Sequence, residues 1–298
     1  MNILITGANG QLGNEMRVLS ALHPQHRYFF SDIVVPDASP VPVCPLDITD
    51  ADAMRAFVRQ NDIHLIVNCA AYTNVDKAET DEPAARRINA EAVVALAGTG
   101  ARIVHISTDY VFSGDACVPY REGDPVAPRT AYGRTKFEGE QLLLVHCPQA
   151  VIFRTAWLYS SFGNNFVKTM LRLGSERDML SVVYDQVGTP TYAADLATAV
   201  FAAVESPKWH PGIYHFTNEG VCSWYDFTLE IFRQYNALVP AAPVTCRVQP
   251  ILSSEYAYKT PRPHYSVLDK ALVRRTFSLT IPHWTDALGR CLSVIVGG

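Results

Sequence analysis

A glycine-rich segment near the start of the chain limits its fold more than any other feature. The apolar stretch at residues 2–6 is predicted to be a buried strand, and Gly7-Ala8-Asn9-Gly10-Gln11-Leu12-Gly13 follows it directly. In such a segment Gly7 permits a tight turn, Gly10 lets the backbone approach a pyrophosphate, and Gly13 permits close helix packing. Free N–H groups at the start of the following helix favour an anion. The spacing Gly-x-x-Gly-x-x-Gly after an N-terminal strand therefore predicts a dinucleotide-binding turn.

Predicted strands and helices alternate after this turn. Short apolar runs predict strands at residues 2–6, 27–32, 64–69, 102–107 and 150–154, and apolar residues at helical spacing predict helices at residues 11–22, 50–59, 84–97 and 131–145. This alternation indicates an α/β fold, a Rossmann-like doubly wound parallel sheet that is covered by helices on both faces. A proline-rich loop is expected at residues 36–45.

The pattern becomes less regular beyond residue 155. Helices are predicted at residues 165–173 and 193–204, and strands at residues 212–216 and 246–251. Ser223 and Asp226 have the spacing of a capping box and predict a helix through Tyr235. We expect a dinucleotide-binding domain at residues 1–155 and a smaller C-terminal α/β substrate-binding lobe at residues 156–298. The two are expected to interleave, because some later segments return to the first domain.

Composition and charge exclude several classes of protein. The 298 residues carry a net charge of −4, so no basic surplus predicts nucleic-acid binding. No apolar run approaches the roughly 20 residues that span a bilayer, and Met1 leads into an apolar strand without a signal-peptide pattern. The 7 cysteines form no Cys-x-x-Cys pair, and the 9 histidines form no His-Glu-x-x-His pattern. The sequence therefore predicts a cytoplasmic protein with reduced thiols, no membrane association and no metal site.

Residues at the ends of predicted strands are candidates for cofactor binding. Asp32 ends the second strand, where an acidic side chain can bind the ribose hydroxyls of NAD and would repel a 2′-phosphate. Ala70, Ala71, Tyr72 and Thr73 follow the third strand, and ligands of open parallel sheets bind beyond the carboxyl ends of the strands. These residues extend the glycine-rich turn into a predicted site for NADH or NADPH.

A tyrosine and a lysine have the spacing of an acid–base pair. Tyr132 and Lys136 lie four residues apart in a predicted helix and therefore share one face. A nearby ammonium ion favours the phenolate and lowers the pKa of a tyrosine from its ordinary value of about 10. Tyr132 could donate a proton to a carbonyl oxygen as hydride reaches the carbon, while Lys136 binds the nicotinamide ribose. Thr108, at the end of the fourth strand, could polarise the same carbonyl.

Several motifs together resemble a known family. They are Ser107-Thr108-Asp109-Tyr110-Val111-Phe112, Tyr132-Gly133-x-x-Lys136, Arg154-Thr155-Ala156-Trp157-Leu158-Tyr159, Gly163-Asn164-Asn165-Phe166, Asp185-Gln186-x-Gly188-x-Pro190-Thr191 and Arg262-Pro263. Over nearly its whole length the chain resembles the dTDP-4-dehydrorhamnose reductases, which belong to the extended short-chain dehydrogenase/reductase family. The resemblance implies reduction of dTDP-4-dehydro-6-deoxy-L-mannose to dTDP-L-rhamnose with NADPH or NADH. This is a step in making the activated sugar for polysaccharides.

The resemblance also implies roles for individual residues. Tyr132 would be the proton donor, Lys136 its partner and Thr108 the polarising hydroxyl. With the turn and strand-end residues included, the candidates for the dinucleotide are Gly7, Asn9, Gly10, Gln11, Leu12, Gly13, Asp32, Asp47, Ile48, Ala70, Ala71, Tyr72, Thr73, Tyr132 and Lys136. The candidates for the substrate are Thr108, Asp109, Tyr110, Trp157 and Arg262. The ring of Trp157 is expected to stack on the sugar or base, and Arg262 to pair with the diphosphate or to form a structural ion pair.

Two properties of the family are left open by the sequence. Some members form a homodimer through Mg²⁺ held by several glutamates. Glu15 matches one of these ligands, but Ala193, Ala194, Asp195 and the C-terminus do not clearly supply the others. The homodimer and Mg²⁺ therefore remain alternatives.

Two rival functions fit the same scaffold. A sugar-nucleotide epimerase or dehydratase would keep its cofactor and regenerate it in each cycle, but the dehydratases have Glu where this chain has Tyr110. A regulatory subunit of methionine adenosyltransferase would bind a dinucleotide without catalysis. The presence of Thr108, Tyr132 and Lys136 together argues against this second rival.

Overall fold

The computed structural model describes residues 1–35, 42–257 and 260–297, so most of the loop expected at residues 36–45 lies outside the described residues. Its central feature is a sheet whose strands are β1 (Asn2–Thr6), β2 (Arg27–Asp32), β3 (Val43–Pro45), β4 (Leu65–Asn68), β5 (Arg102–Thr108), β6 (Val151–Thr155) and β11 (Gly212–His215). The order is β11-β6-β5-β4-β1-β2-β3, and every neighbouring pair is parallel. The fold class predicted from the sequence is confirmed.

Helices surround this sheet and also build the C-terminal lobe. They are α1 (Gln11–Ser20), α2 (Ala51–Gln60), α3 (Val75–Thr80), α4 (Glu82–Arg86), α5 (Ala92–Ala97), α6 (Ala131–His146), α7 (Phe166–Glu176), α8 (Ala193–Val204), α9 (Trp224–Leu238), α10 (Ala271–Phe277) and α11 (Trp284–Gly297). Residues of α2, α5 and α6 pack on one face of the sheet, and residues of α1, α8 and α10 pack on the other. Because helices cover both faces of the parallel sheet, its strands are mostly apolar.

The C-terminal lobe has a second core. Its short strands are β7 (Leu158–Tyr159), β8 (Met179–Val183), β9 (Val187–Gly188), β10 (Thr191–Tyr192), β12 (Cys222–Ser223) and β13 (Arg247–Ile251). They pair as β7–β10, β8–β13 and β9–β12. Buried side chains from α7, α9 and α11 fill this core, among them Val167, Phe227 and Leu288. None of the helices within the described ranges is long and apolar enough to cross a membrane.

The boundaries of several elements differ from those predicted. The helix expected at residues 84–97 is divided by a π-helical turn, Arg87–Glu91, and α3 was not predicted. Part of the expected proline-rich loop forms β3, which lies at the edge of the sheet, where a proline removes no ladder hydrogen bond. The division into domains at residue 155 remains a prediction, although β11 lies in the central sheet and α8 packs beside α1.

Candidate active site

A large cavity lies beyond the carboxyl ends of the parallel strands. Its volume is about 1370 Å³, larger than the ~300–1,000 Å³ typical of a site for a single small ligand. The glycine-rich turn lies on its wall, as do the ends of β2, β4 and β5 and segments of the C-terminal lobe. This position beyond the sheet is where open α/β sheets bind their ligands, and the volume leaves room for two ligands together.

The glycine-rich turn has the geometry that a dinucleotide requires. Gly7 has a φ of 64°, and a Cβ atom there would lie 2.6 Å from the backbone nitrogen of Ala70. A Cβ atom at Gly13 would lie 2.2 Å from the carbonyl oxygen of Gly7, so this glycine lets α1 pack against the turn. At Gly10, apart from the adjacent residues and α1 itself, the one atom of the described chain within 4 Å of a Cβ would be the same oxygen, at 3.2 Å. Gly10 therefore faces the cavity, where its lack of a side chain admits a pyrophosphate.

Asp32 links the turn to the end of β2. Its Oδ2 accepts a hydrogen bond from the backbone nitrogen of Asn9 at 2.9 Å, and its Oδ1 accepts one from that of Val34 at 3.3 Å. The carboxylate lies on the cavity wall with Asp47 and Ile48. An anionic side chain at this position can accept hydrogen bonds from ribose hydroxyls, and its charge disfavours a 2′-phosphate.

The segment after β4 is held by a residue that the sequence analysis missed. Asn89, in the π-helical turn, accepts a hydrogen bond from the backbone nitrogen of Tyr72 at 2.9 Å and donates to the Tyr72 carbonyl oxygen at 3.1 Å. Ala70, Ala71 and Thr73 line the cavity. Tyr72 does not: its ring packs among buried alanines beside Tyr132. A π turn carries no distinct sequence signal, so the spacing of apolar residues did not reveal this role for Asn89.

The start of α6 places Tyr132 beside Thr108. Thr130 caps the helix by accepting a hydrogen bond from the backbone nitrogen of Gly133 at 3.0 Å. A Cβ atom at Gly133 would lie 2.3 Å from the Tyr110 carbonyl oxygen, so the helix approaches the end of β5 very closely. The Tyr132 side chain lies close enough to that of Thr108 for a hydrogen-bonding interaction with Thr108 to lower the pKa of Tyr132. Two of the predicted catalytic side chains thus meet on the cavity wall.

Burial controls the proton affinities of these groups. It raises the pKa of Tyr132 to about 12, although the hydrogen bond with Thr108 acts in the opposite direction. Burial likewise raises the pKa of Asp109 to about 7, opposed by the hydrogen bond from the Thr108 hydroxyl, whose oxygen lies 2.9 Å from Oδ1. Tyr132 is therefore a neutral phenol at neutral pH and carries a proton that it can donate.

Lys136 lies on the cavity wall but contacts groups other than Tyr132. Its Nζ donates to the carbonyl oxygen of Ile106 at 2.6 Å and lies 3.3 Å from Nε2 of His105. Burial lowers the pKa of Lys136 to about 8, while the charge of Glu140 acts in the opposite direction. The expected lowering of the Tyr132 pKa by Lys136 is not observed, because the amino group of Lys136 is held by Ile106 and His105, and burial raises the pKa of the phenol.

Trp157 faces the cavity under an unusual backbone constraint. Its φ is 49°, a left-handed conformation that costs a non-glycine residue energy and is often found at functional sites. Its ring stacks on that of Trp224 with centroids 3.5 Å apart. A Cβ atom at Gly188 would lie 2.6 Å from Cε2 of Trp157. One ring face is therefore already occupied by Trp224, a contact that the sequence did not reveal because the two residues lie on different elements.

Arg262 forms an ion pair within the protein. Its Nη2 lies 2.9 Å from Oδ2 of Asp76, so it joins the C-terminal lobe to α3 of the first half. It also lines the cavity beside Tyr110, and its charge lowers the pKa of that tyrosine, although burial of the phenol outweighs this effect. Of the two roles expected for Arg262, the ion pair is present. Contact with a diphosphate stays a prediction, which agrees with the position of Arg262 on the cavity wall.

Within one copy of the chain, the acidic residues considered for magnesium are engaged in other contacts. Glu15 is buried, and its Oε1 accepts a hydrogen bond from the hydroxyl of Ser160 at 2.6 Å. Asp195 pairs with Arg290 at 2.7 Å. Within residues 1–35, 42–257 and 260–297 there is no group of three or more His, Cys, Asp or Glu side chains that could hold a metal ion.

Comparison with known proteins identifies relatives over almost the whole chain. The family model described as the RmlD substrate binding domain matches residues 1–296. The chain is 43% identical to a probable dTDP-4,6-dihydroxy-2-methyloxan-3-one 4-ketoreductase of Streptomyces antibioticus, covering 97% of this chain and 93% of the relative. It is 40% identical to a dTDP-4-dehydrorhamnose reductase of Aggregatibacter actinomycetemcomitans, covering 96% of each chain.

A solved structure agrees with these relatives. The crystal structure of dTDP-4-dehydrorhamnose reductase from Bacillus anthracis str. Ames in complex with NADP is similar, with a TM-score of 0.86 and 38% identity. The match covers 97% of this chain and 98% of that chain. The resemblance noted in the sequence is confirmed. The chain belongs to the RmlD substrate binding domain family, which contains the dTDP-4-dehydrorhamnose reductases.

Proposed function

We propose that this protein reduces dTDP-4-dehydro-6-deoxy-L-mannose to dTDP-L-rhamnose with NADPH or NADH, and that Tyr132 donates the proton. The observation that carries the proposal is that Tyr132 and Thr108 lie together on the wall of a cavity that also contains the glycine-rich turn. The names of the relatives in Aggregatibacter actinomycetemcomitans and Streptomyces antibioticus both state reduction of a dTDP-linked compound.

The residues of the cavity divide the chemistry between them. A bound nicotinamide cofactor would supply the hydride. Thr108 and Tyr132 line the cavity together, and we propose that both hydroxyl groups donate to the keto oxygen of the bound substrate, with Thr108 turning its hydroxyl from Asp109 to do so. As negative charge develops on that oxygen, the neutral phenol of Tyr132 gives up its proton. Gly10 and Asp32 both line the cavity, and we propose that the backbone of Gly10 holds the pyrophosphate and the carboxylate of Asp32 holds the ribose.

The C-terminal lobe provides the remaining wall of the cavity. Trp157 and Arg262 line this part of the cavity, and we propose that they contact the dTDP-sugar, with the ring of Trp157 stacked on Trp224. A cofactor-binding module without catalysis has no requirement for a proton donor beside a polarising hydroxyl. An epimerase or dehydratase would turn over without net loss of NAD(P)H, which makes the reductase distinguishable in a simple assay.

Removal of one hydroxyl tests the assignment of the proton donor. Tyr132→Phe should lower kcat by about 10²-fold or more, because a positioned general acid contributes roughly that factor. Tyr159→Phe is a matched control, since the Tyr159 hydroxyl is also buried but lies off the cavity wall. The rate of NAD(P)H absorbance loss with the dTDP-keto sugar measures both. Near-normal turnover by a folded Tyr132→Phe protein would refute the role of Tyr132.

A further inference from the structure

A chain of buried side chains leads from β1 to Lys136. The Thr6 hydroxyl donates to Oδ1 of Asn68 at 2.7 Å, and Nδ2 of Asn68 lies 3.0 Å from Nδ1 of His105. The other ring nitrogen of His105, Nε2, lies 3.3 Å from Nζ of Lys136. All four side chains are at most 1% exposed. No role for His105 or Asn68 follows from the mechanism proposed above.

The orientation of the Asn68 amide is fixed by the backbone. The N–H group of Ala70 can only donate, and it donates to Oδ1 of Asn68 at 3.2 Å. With Thr6, this gives Oδ1 two donors, so the NH₂ group of Asn68 must face His105. Turning the amide over would place its NH₂ group against the N–H of Ala70 and leave a buried donor without an acceptor.

This orientation selects one tautomer of His105. Burial, with the charge of Lys136 acting in the same direction, holds the pKa of His105 well below its ordinary value, so the ring is neutral. A neutral imidazole carries one hydrogen, and Nδ1 must accept the bond from Asn68. The hydrogen therefore lies on Nε2, the atom that faces Lys136.

An N–H group directed at Lys136 distinguishes between the two forms of the lysine. An ammonium ion has three donors and no acceptor, whereas a neutral amine has a lone pair that can accept from Nε2–H. The same amine still donates to the Ile106 carbonyl oxygen, and one N–H remains for a ligand. We propose that His105 is a positioning residue that holds Nε2–H against Nζ of Lys136 and so favours the neutral amine over the ammonium ion.

Other ionisable groups near Lys136 do not replace this effect. Glu140, on the same helix, favours the ammonium ion but is itself paired with Arg154 of β6 at 2.6 Å. Cys69, at the end of β4, has a pKa raised to about 12 by burial and remains a neutral thiol. Tyr132 is a neutral phenol, and Asp109 at the end of β5 contacts Thr108. His105 is thus the neighbour whose hydrogen-bonding pattern opposes the charge on Lys136.

The proposal extends the proposed function, because it explains how Lys136 can gain and lose a proton at a pH where the reductase works. The first test needs neither turnover nor a variant with altered activity. In the protein labelled with ¹⁵N-histidine, long-range ¹H–¹⁵N correlation distinguishes protonated from bare ring nitrogens. We expect the His105 ring to carry its hydrogen on Nε2, and a hydrogen on Nδ1 would overturn the proposal.

A second test measures the lysine itself. Lysine labelled with ¹³C at Cε reports the pKa of Lys136 in the protein without substrate, and Lys136→Met assigns the signal. His105→Gln can turn a carbonyl oxygen toward Nζ, so it should raise the pKa of Lys136 by about 1 or more. His215→Gln is the matched control, because His215 is another buried neutral histidine, whose Nδ1 lies 3.1 Å from the Tyr120 carbonyl oxygen. An unchanged Lys136 pKa in folded His105→Gln would overturn the proposal.

The two tests also separate this proposal from the proposed function. If the tautomer and the change in the Lys136 pKa are found but the keto sugar is not reduced, the role of His105 stands and the reductase assignment fails. If the protein reduces the sugar but His105 carries its hydrogen on Nδ1, the reverse holds. Should His105→Gln fail to fold, His105→Asn assigns the histidine signal, and the wild-type tautomer decides the question.

Discussion

Asp32 shows how a single carboxylate can serve both the fold and the choice of cofactor. It accepts two backbone hydrogen bonds, from Asn9 and Val34, and remains on the cavity wall. Asp32→Asn keeps the shape and one acceptor but removes the charge. Because that charge repels a 2′-phosphate, we expect the ratio of kcat/KM for NADPH to that for NADH to rise several-fold.

The comparison needs a control that removes a distant charge of the same sign. Asp52 is exposed on α2 and lies off the cavity wall, so Asp52→Asn should leave the ratio unchanged. Steady-state kinetics with each cofactor measure the effect. Equal ratios in Asp32→Asn and wild type would mean that Asp32 does not face the ribose.

Asp109 should make stability depend on pH. Burial raises its pKa from 3.8 to about 7, so between these values the unfolded chain ionises this group while the folded protein keeps it protonated. The unfolded state then binds fewer protons, and the free energy of unfolding falls as the pH rises through this window. The loss of unfolding free energy is complete above the pKa of Asp109 in the folded protein and absent below its pKa in the unfolded chain.

Thermal denaturation of Asp109→Asn checks this sign. The variant does not titrate at this position, so its Tm minus that of wild type should be larger by several degrees at pH 8 than at pH 4. In this variant the Thr108 hydroxyl keeps an acceptor, because the side-chain oxygen of the introduced asparagine can accept its hydrogen bond. The same Tm difference at both pH values would show that Asp109 ionises normally in the folded protein.

At the scale of elements, two glycines at the start of α1 are expected to have different roles. Gly13 contributes to the stability of the fold, and Gly10 contributes to cofactor binding. Alanine at position 13 would bring a Cβ atom within 2.2 Å of the Gly7 carbonyl oxygen and 2.6 Å of the Ala8 backbone, neither of which can move without distorting the turn. Alanine at position 10 meets a single atom at 3.2 Å. Gly13→Ala should therefore destabilise the fold by several kcal/mol, on the order of an overpacked core site.

Gly10→Ala is the matched comparison for Gly13→Ala. It should unfold at nearly the wild-type temperature but bind NADPH at least about 10-fold more weakly, because its methyl group lies where the pyrophosphate approaches the backbone. Thermal denaturation and calorimetric titration measure the two effects. A Gly10→Ala protein that binds NADPH as tightly as wild type would place the pyrophosphate elsewhere.

Local signals explain which elements the sequence could predict. The capping box of Ser223 and Asp226 is present in full at the start of α9, and Asp50 caps α2 through two backbone N–H groups. These features depend on residues three or four apart, so a pattern records them. The π turn at Arg87–Glu91 lies against α6, where a Cβ atom at Gly139 would lie 2.1 Å from the Asn89 carbonyl oxygen. Such a contact between distant segments leaves no local pattern.

The whole molecule brings together residues that the chain keeps far apart. Tyr132 and Thr108 could be predicted because both follow recognisable elements, and the resemblance to a family placed them in one site. The stacking of Trp157 on Trp224 and the pairing of Arg262 with Asp76 depend on how the C-terminal lobe packs against the sheet. That packing depends on both hydrophobic cores, because α8 packs in the core of the central sheet and β11 is a strand of that sheet. For this reason the substrate side of the cavity was predicted less completely than the cofactor side.

The central claim is that this protein reduces a keto sugar and oxidises a nicotinamide cofactor in the same step. The most direct measurement mixes the purified protein with dTDP-4-dehydro-6-deoxy-L-mannose and NADPH or NADH, follows the loss of cofactor absorbance, and identifies the product by mass spectrometry. We predict that dTDP-L-rhamnose forms in an amount equal to the cofactor oxidised. Conversion of the sugar without net loss of cofactor, or binding of the cofactor with no conversion at all, would contradict the claim.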